Sequence, residues 1–101
     1  MEQLTITPFV PPQHGLHLAG ELDMATVTQF RTALEAVSGD GSVTLDMGQL
    51  TFIDSSGLYA IMEFVRSLNG NGPLILASPT PTARRAIAIA GLDAQAGVEV
   101  N

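Results

Sequence analysis

The chain has 101 residues, enough for one domain with a modest core and too few for two. Ten acids against four bases, all four of them arginine, leave a formal charge of −6, which repels a phosphate backbone and excludes direct nucleic-acid binding. Cysteine and lysine are both absent. That removes disulfides, thiolate chemistry and sulfur-ligated metals, and with them the lysines of phosphate loops, kinases and Schiff-base enzymes.

The chain opens with Glu2 and an alternating run rather than a basic patch and an apolar stretch. No segment approaches the roughly 18 apolar residues of a membrane span, so a cytoplasmic location is expected. Residues 3–10, QLTITPFV, place Leu4, Ile6 and Val10 on one side and Thr5, Thr7 and Phe9 on the other, the pattern of a strand. Pro8 assigns that strand to an edge. PPQHG is a turn, and LHLAGEL sets Leu16 and Leu18 opposite His17, a second strand pairing with the first as an antiparallel hairpin.

From Asp23 the period changes, and Val27, Phe30, Leu34 and Val37 recur at the spacing of an amphipathic helix, with SGDGS at 38–42 as its stop. VTLDM at 43–47 alternates again. After GQLTFID comes the strongest helical stripe in the chain, Leu58, Ile61, Met62, Val65 and Leu68, closed by NGNGP. LILA at 74–77 is an unbroken apolar run, as in a central strand covered on both faces. Thr80 and Pro81 are an N-cap and first-turn pair for a helix with Ile87 and Ala90 inward and Gly91 as its stop. Val98 and Val100 suit a last short strand. The sum is an α/β domain: a hairpin leading into right-handed crossovers, hence a mixed sheet with helices packed on it.

One stretch concentrates the chemistry: TFIDSSGL, Thr51 to Leu58. Asp54 or Ser55 can cap the following helix, and an acid there suits the positive end of the dipole. A catalytic serine would need a base, but the only histidines are His14 and His17 and there is no G-x-S-x-G elbow, so an enzyme is not expected. The remaining alternative is a phosphate acceptor, because a phosphoserine at a helix N-terminus meets unpaired amide hydrogens. His14 and His17 have no third ligand and read as surface residues rather than a metal site. No cofactor is expected. Asp23 reads as an N-cap, or as a polar contact on the rim that carries Ser55. Arg84 and Arg85 read as solvated.

Taken together, GELDMATVTQF, LDMGQLTFIDSSGL and SPTPTARRAIAIAGL, in this order, resemble the STAS domain of bacterial anti-sigma factor antagonists, from about Gly15 to Val100. The resemblance implies a four- to five-stranded mixed sheet, with the family's final helix short or absent because the chain stops at Asn101. It also implies a partner-switching role. Unmodified, such a protein captures an anti-sigma factor that is also a serine kinase; phosphorylation ends the capture, and a serine phosphatase restores it.

The acceptor in this family follows the aspartate, which is Ser55 here, and the acid of the strand-to-helix corner is Asp23. Partner contacts implied by the resemblance fall on Glu21, Asp23, Met24, Thr26, Asp54, Ser56, Gly57 and Tyr59. Tyr59 stands where the family often has a small residue, which would alter the kinase that fits. The alternative within the same fold is a non-phosphorylated STAS interaction module of a transporter or signalling assembly.

Overall fold

The computed structural model describes residues 3–37 and 41–101, so positions 38–40 of the expected helix stop, and Glu2, lie outside the described residues. The elements run β1 (Thr5–Pro8), β2 (Gly15–Leu22), α1 (Val27–Val37), β3 (Val43–Ile53), α2 (Ser55–Leu68), β4 (Leu74–Ala77), α3 (Pro81–Ala90), a 3₁₀ turn (Leu92–Ala94) and β5 (Val98–Val100). They form one five-stranded sheet in the order β1-β2-β3-β4-β5. The β1–β2 pair is antiparallel, with Ile6 opposite Leu18 and Thr7 opposite His17. All later pairs are parallel. Val10 belongs to no strand and is 78% exposed, so the inward side of the first run is Leu4 and Ile6 alone.

Because strands two to five follow chain order, crossovers of one hand place every connecting helix on the same face. Burial agrees with this. Leu16, Leu18, Leu45, Met47, Leu74 and Leu76 are almost completely buried, whereas His17, Thr44, Asp46 and Ile75, one step out of phase, keep contact with solvent. LILA therefore alternates, with Leu74 and Leu76 buried and Ile75 and Ala77 half-buried. It lies between β3 and β5, with β3 at the centre of the sheet. The expected double coverage does not arise, because only one face carries helices.

The strand β3 is longer than the alternating VTLDM. Its register against β2 slips twice, between His17 and Ala19 and between Gly20 and Glu21. Each slip adds a residue to β3 and reverses the side on which its later residues point. The buried set is consequently Val43, Leu45, Met47, Leu50 and Ile53, a spacing of two that becomes three. That is why GQLTFI does not read as a strand.

The helix α1 starts at Val27 rather than at Asp23. Residues 24–26 form a turn, and Phe30 and Leu34 enter the core while Val27 and Val37 pack at its border. In α2, Ile61, Val65 and Leu68 are buried as their spacing requires, joined by Ala60 and Phe64. Asn69 in the left-handed conformation closes it, with φ of 49°. Arg31 of α1 and Glu63 of α2 form an ion pair between the two helices. In α3, Ile87 and Ala83 face inward, but Ala90 is exposed. Gly91 ends the helix at φ 77°, and Leu92 fills the inward place, fully buried. No helix of the described residues is long and apolar enough to cross a membrane, and no helix follows β5 among them.

Candidate functional site

The DSSG segment occupies the rim where β2 and β3 end and α1 and α2 begin. The last bulge of β3 leaves Ile53 inward, and Asp54 N–H donates to Leu22 O at 3.1 Å, so the chain leaves the sheet at a fixed height. Asp54 has extended backbone angles and is the N-cap of α2. Its Oδ1 accepts from the amides of Ser56 at 2.9 Å and Gly57 at 3.3 Å, while Oδ2 accepts from the Met24 amide at 3.3 Å. One carboxylate thus caps a helix, complements its dipole and ties that helix to the corner before α1. The amides expected to be unpaired beside Ser55 are therefore paired at Ser56 and Gly57, and their partner is the neighbouring acid.

The corner from Glu21 to Thr26 is built in the same way. Asp23 Oδ1 accepts from the amides of Ala25 at 2.9 Å and Thr26 at 3.2 Å, the pattern of a cap on the turn that leads into α1. Thr26 Oγ1 donates to Glu21 O at 2.9 Å and accepts from the Asp23 amide at 3.0 Å. Thr26 is only 8% exposed, which makes it a brace inside the corner rather than a contact on its surface.

Gly57 is buried too. A Cβ there would come within 2.6 Å of Leu22 Cγ and 3.0 Å of Ile53 Cγ1, so the glycine lets α2 seat against the strand ends instead of meeting a partner. Ser56 is half-buried and Ser55 exposed, so the two hydroxyls are not equivalent. The structure brings Met24, Asp54 and Ser55 together on the rim, with Glu21 and Asp23 half-buried beside them.

Large apolar side chains are exposed in the neighbouring segments. Met24 is 78% exposed, Tyr59 56% and Phe52 44%. Phe52 escapes the sequence reading because its exposure depends on the bulged phase of β3; an aromatic out of step in a strand was its only signal. Along α2, Ser55, Leu58, Tyr59, Met62 and Arg66 form one stripe at helical spacing that lines a groove of about 340 Å³ against Leu92. The acid-flanked Ser55 hydroxyl stands at one end of this stripe, Arg66 at the other, and Leu58, Tyr59 and Met62 between them. No three His, Cys, Asp or Glu residues are grouped to hold a metal among the described residues.

His14 is exposed, and His17 lies on the helix-free face of the sheet, 2.7 Å from Asp46 and stacked at a tilt on Phe9. The His17 hydrogen bond, helped by the Gly48 amide, holds the Asp46 carboxyl below its ordinary value. Arg84 donates to the Asn101 carbonyl at 3.0 Å, so it fastens the last strand rather than standing free.

Residues 9–99 match the family model described as Mlab, STAS domain. An anti-sigma F factor antagonist of Lysinibacillus sphaericus is 36% identical over 81 residues, covering 76% of this chain and 69% of the relative. The anti-sigma factor antagonist SpoIIAA in its unphosphorylated form superposes with a TM-score of 0.70 at 25% identity, over 100% of this chain and 88% of the other. Its phosphorylated form, described as a Bacillus cell fate determinant, does so at 0.64 and 23%, over 100% and 91%. An anti-sigma factor antagonist from Mycobacterium paratuberculosis gives 0.80 at 22% identity, over 98% and 86%. With the mixed sheet, the one-sided helices and a family match across almost the whole length, the chain belongs to the STAS domain family.

Proposed function

We propose that this protein is an anti-sigma factor antagonist of the cytoplasm, acting by binding and not by catalysis. Unphosphorylated, it captures an anti-sigma factor that is also a serine kinase, and so frees a sigma factor. The kinase transfers the γ-phosphoryl group of ATP to Ser55 Oγ; the hydroxyl proton leaves, ADP is released, and the capture ends until a serine phosphatase hydrolyses the ester. The observation that carries this reading is the exposed Ser55 hydroxyl, set on a capped helix start with exposed Met24 at the corner Asp54 ties to it and exposed Tyr59 one turn along. The relatives named as antagonists support the role.

The switch follows from charge. Phosphate adds about −1.5 to −2 at neutral pH to a chain already at −6, beside Asp54 and near Asp23. When a partner buries that rim, the uncompensated charge costs about 3–5 kcal/mol, which is roughly two to four decades of affinity. The modification leaves the core untouched, since Ser55 lies outside it.

The test is to incubate the protein with the serine kinase encoded nearest its gene and ATP, then map the phosphate. Modification at Ser55 with loss of the complex is the expected result. Modification elsewhere, or capture of a transport ATPase in place of the kinase, would favour the non-phosphorylated interaction module.

A further inference from the structure

A phosphate on the first residue of a helix ordinarily has a place to go, because the first amides of the helix point outward and bind anions. Here the second and third of those amides are taken. Asp54 Oδ1 accepts from Ser56 and Gly57, and its Oδ2 reaches across to the Met24 amide. A phosphoryl group turning in would have to displace a carboxylate held by three hydrogen bonds, and so detach α2 from the corner before α1. Nor does an arginine make a hydrogen bond or ion pair with Asp54, Ser55 or Ser56 among the described residues. Arg66, which lines the same groove as Ser55, lies eleven positions along α2, about 16 Å at 1.5 Å per residue. Arg31 is paired with Glu63, Arg84 is held at Asn101, and Arg85 stands exposed on α3.

We infer that Asp54 is a positioning residue for the phosphorylated state: by occupying the amides of Ser56 and Gly57 it keeps the Ser55 phosphate off the helix tip and displays it to whatever docks on the rim. The inference rests on the reading of Ser55 as the acceptor. It adds a division of labour within DSSG. The serine carries the charge, and the acid before it denies that charge the amides of Ser56 and Gly57. A phosphate neutralised by its own helix would repel a docking protein weakly. One held outward opposes docking with its full charge and stays open to a phosphatase.

The experiment uses the full chain with phosphoserine introduced at position 55 by genetic encoding, so that no kinase need be identified. Amide proton shifts in ¹H–¹⁵N spectra are then compared between serine and phosphoserine forms, in the parent, in Asp54→Ala and in Asp54→Asn. In the parent, the Ser56 and Gly57 amides should hardly move on phosphorylation. In Asp54→Ala they should move downfield, as they donate to the phosphate oxygens. Asp54→Asn keeps a capping oxygen without its charge, so its amides should stay as in the parent.

Downfield shifts in the phosphorylated parent would overturn the inference. So would their absence in Asp54→Ala, because occupation of the amides would then not be what holds the phosphate out. If Asp54→Ala fails to fold, Asp54→Asn decides alone: unmoved amides support occupation, and downfield movement refutes it. Failure of the functional reading is distinguishable, since it would show as a cognate kinase that leaves Ser55 unmodified while these spectra still come out as expected.

Discussion

The starts of α2 and α3 obey the same local rule and end up with opposite characters. Each has an extended cap residue whose side chain accepts from the first turn: Asp54 from Ser56 and Gly57, Thr80 from Ala83. Thr80 then donates its own hydroxyl to Leu50 O at 2.9 Å, inside the fold, and Pro81 fills the next position. Asp54 instead reaches along the surface to Met24, and the next residue is an exposed serine. One cap is followed by a hydroxyl in solvent, the place proposed for the switch, and the other closes inward on Leu50.

Charge at Ser55 should separate the two starts most strongly. Ser55→Asp is expected to weaken binding of the unphosphorylated-state partner by up to the two to four decades that an uncompensated buried charge would cost, read by calorimetry. The equivalent change at Thr82 of α3 should leave that affinity unaltered.

The seating of α2 comes next. Gly57→Ala forces a Cβ to within 2.6 Å of Leu22 Cγ, an overpacking expected to cost about 1–3 kcal/mol in urea unfolding and to shift the rim amides. Thr80→Ala should lower stability by about 0.5–2 kcal/mol, the usual cost of a lost cap, and leave partner affinity unchanged. Asp54→Ala should cost about the same in stability and also alter partner affinity, because its loss frees the Met24 corner.

The smallest effect belongs to the helix-free face. Asp46 is held below its ordinary value of 3.8, first by the His17 hydrogen bond and then by the Gly48 amide. A carboxyl lowered in the folded state stabilises the fold above the unfolded value, and that contribution fades as pH falls through the lowered folded value. His17→Ala should return the Asp46 titration, followed by carboxyl NMR, toward 3.8. Acid unfolding should then begin at slightly higher pH, with the pair worth little because it is exposed.

Much of this architecture is legible in the sequence because most elements follow a single period. The stripe of α2, the Thr-Pro start and glycine stop of α3, and the hairpin around Pro8 all lie where local chemistry puts them. Three features are hidden because they depend on distant residues. The length of β3 is masked by bulges that β2 imposes, the phase of Phe52 follows from those bulges, and the bareness of one face of LILA follows from strand order. At the site, Ser55 stands out by its neighbours in the sequence. That Asp54 spends its second oxygen on Met24, thirty positions away, could be seen only once the chain had folded.

The two extra residues in β3 also limit how this rim can change over time. Removing one of them would rotate everything downstream by half a turn, driving Phe52 into the interior, turning Ile53 out and swinging the serine toward the opposite side. Length variation should therefore be purged between Met47 and Ile53, while the loops at the other end of the sheet remain free to grow and shrink. On the proposed reading, the place of the acceptor serine is fixed by residues upstream of it.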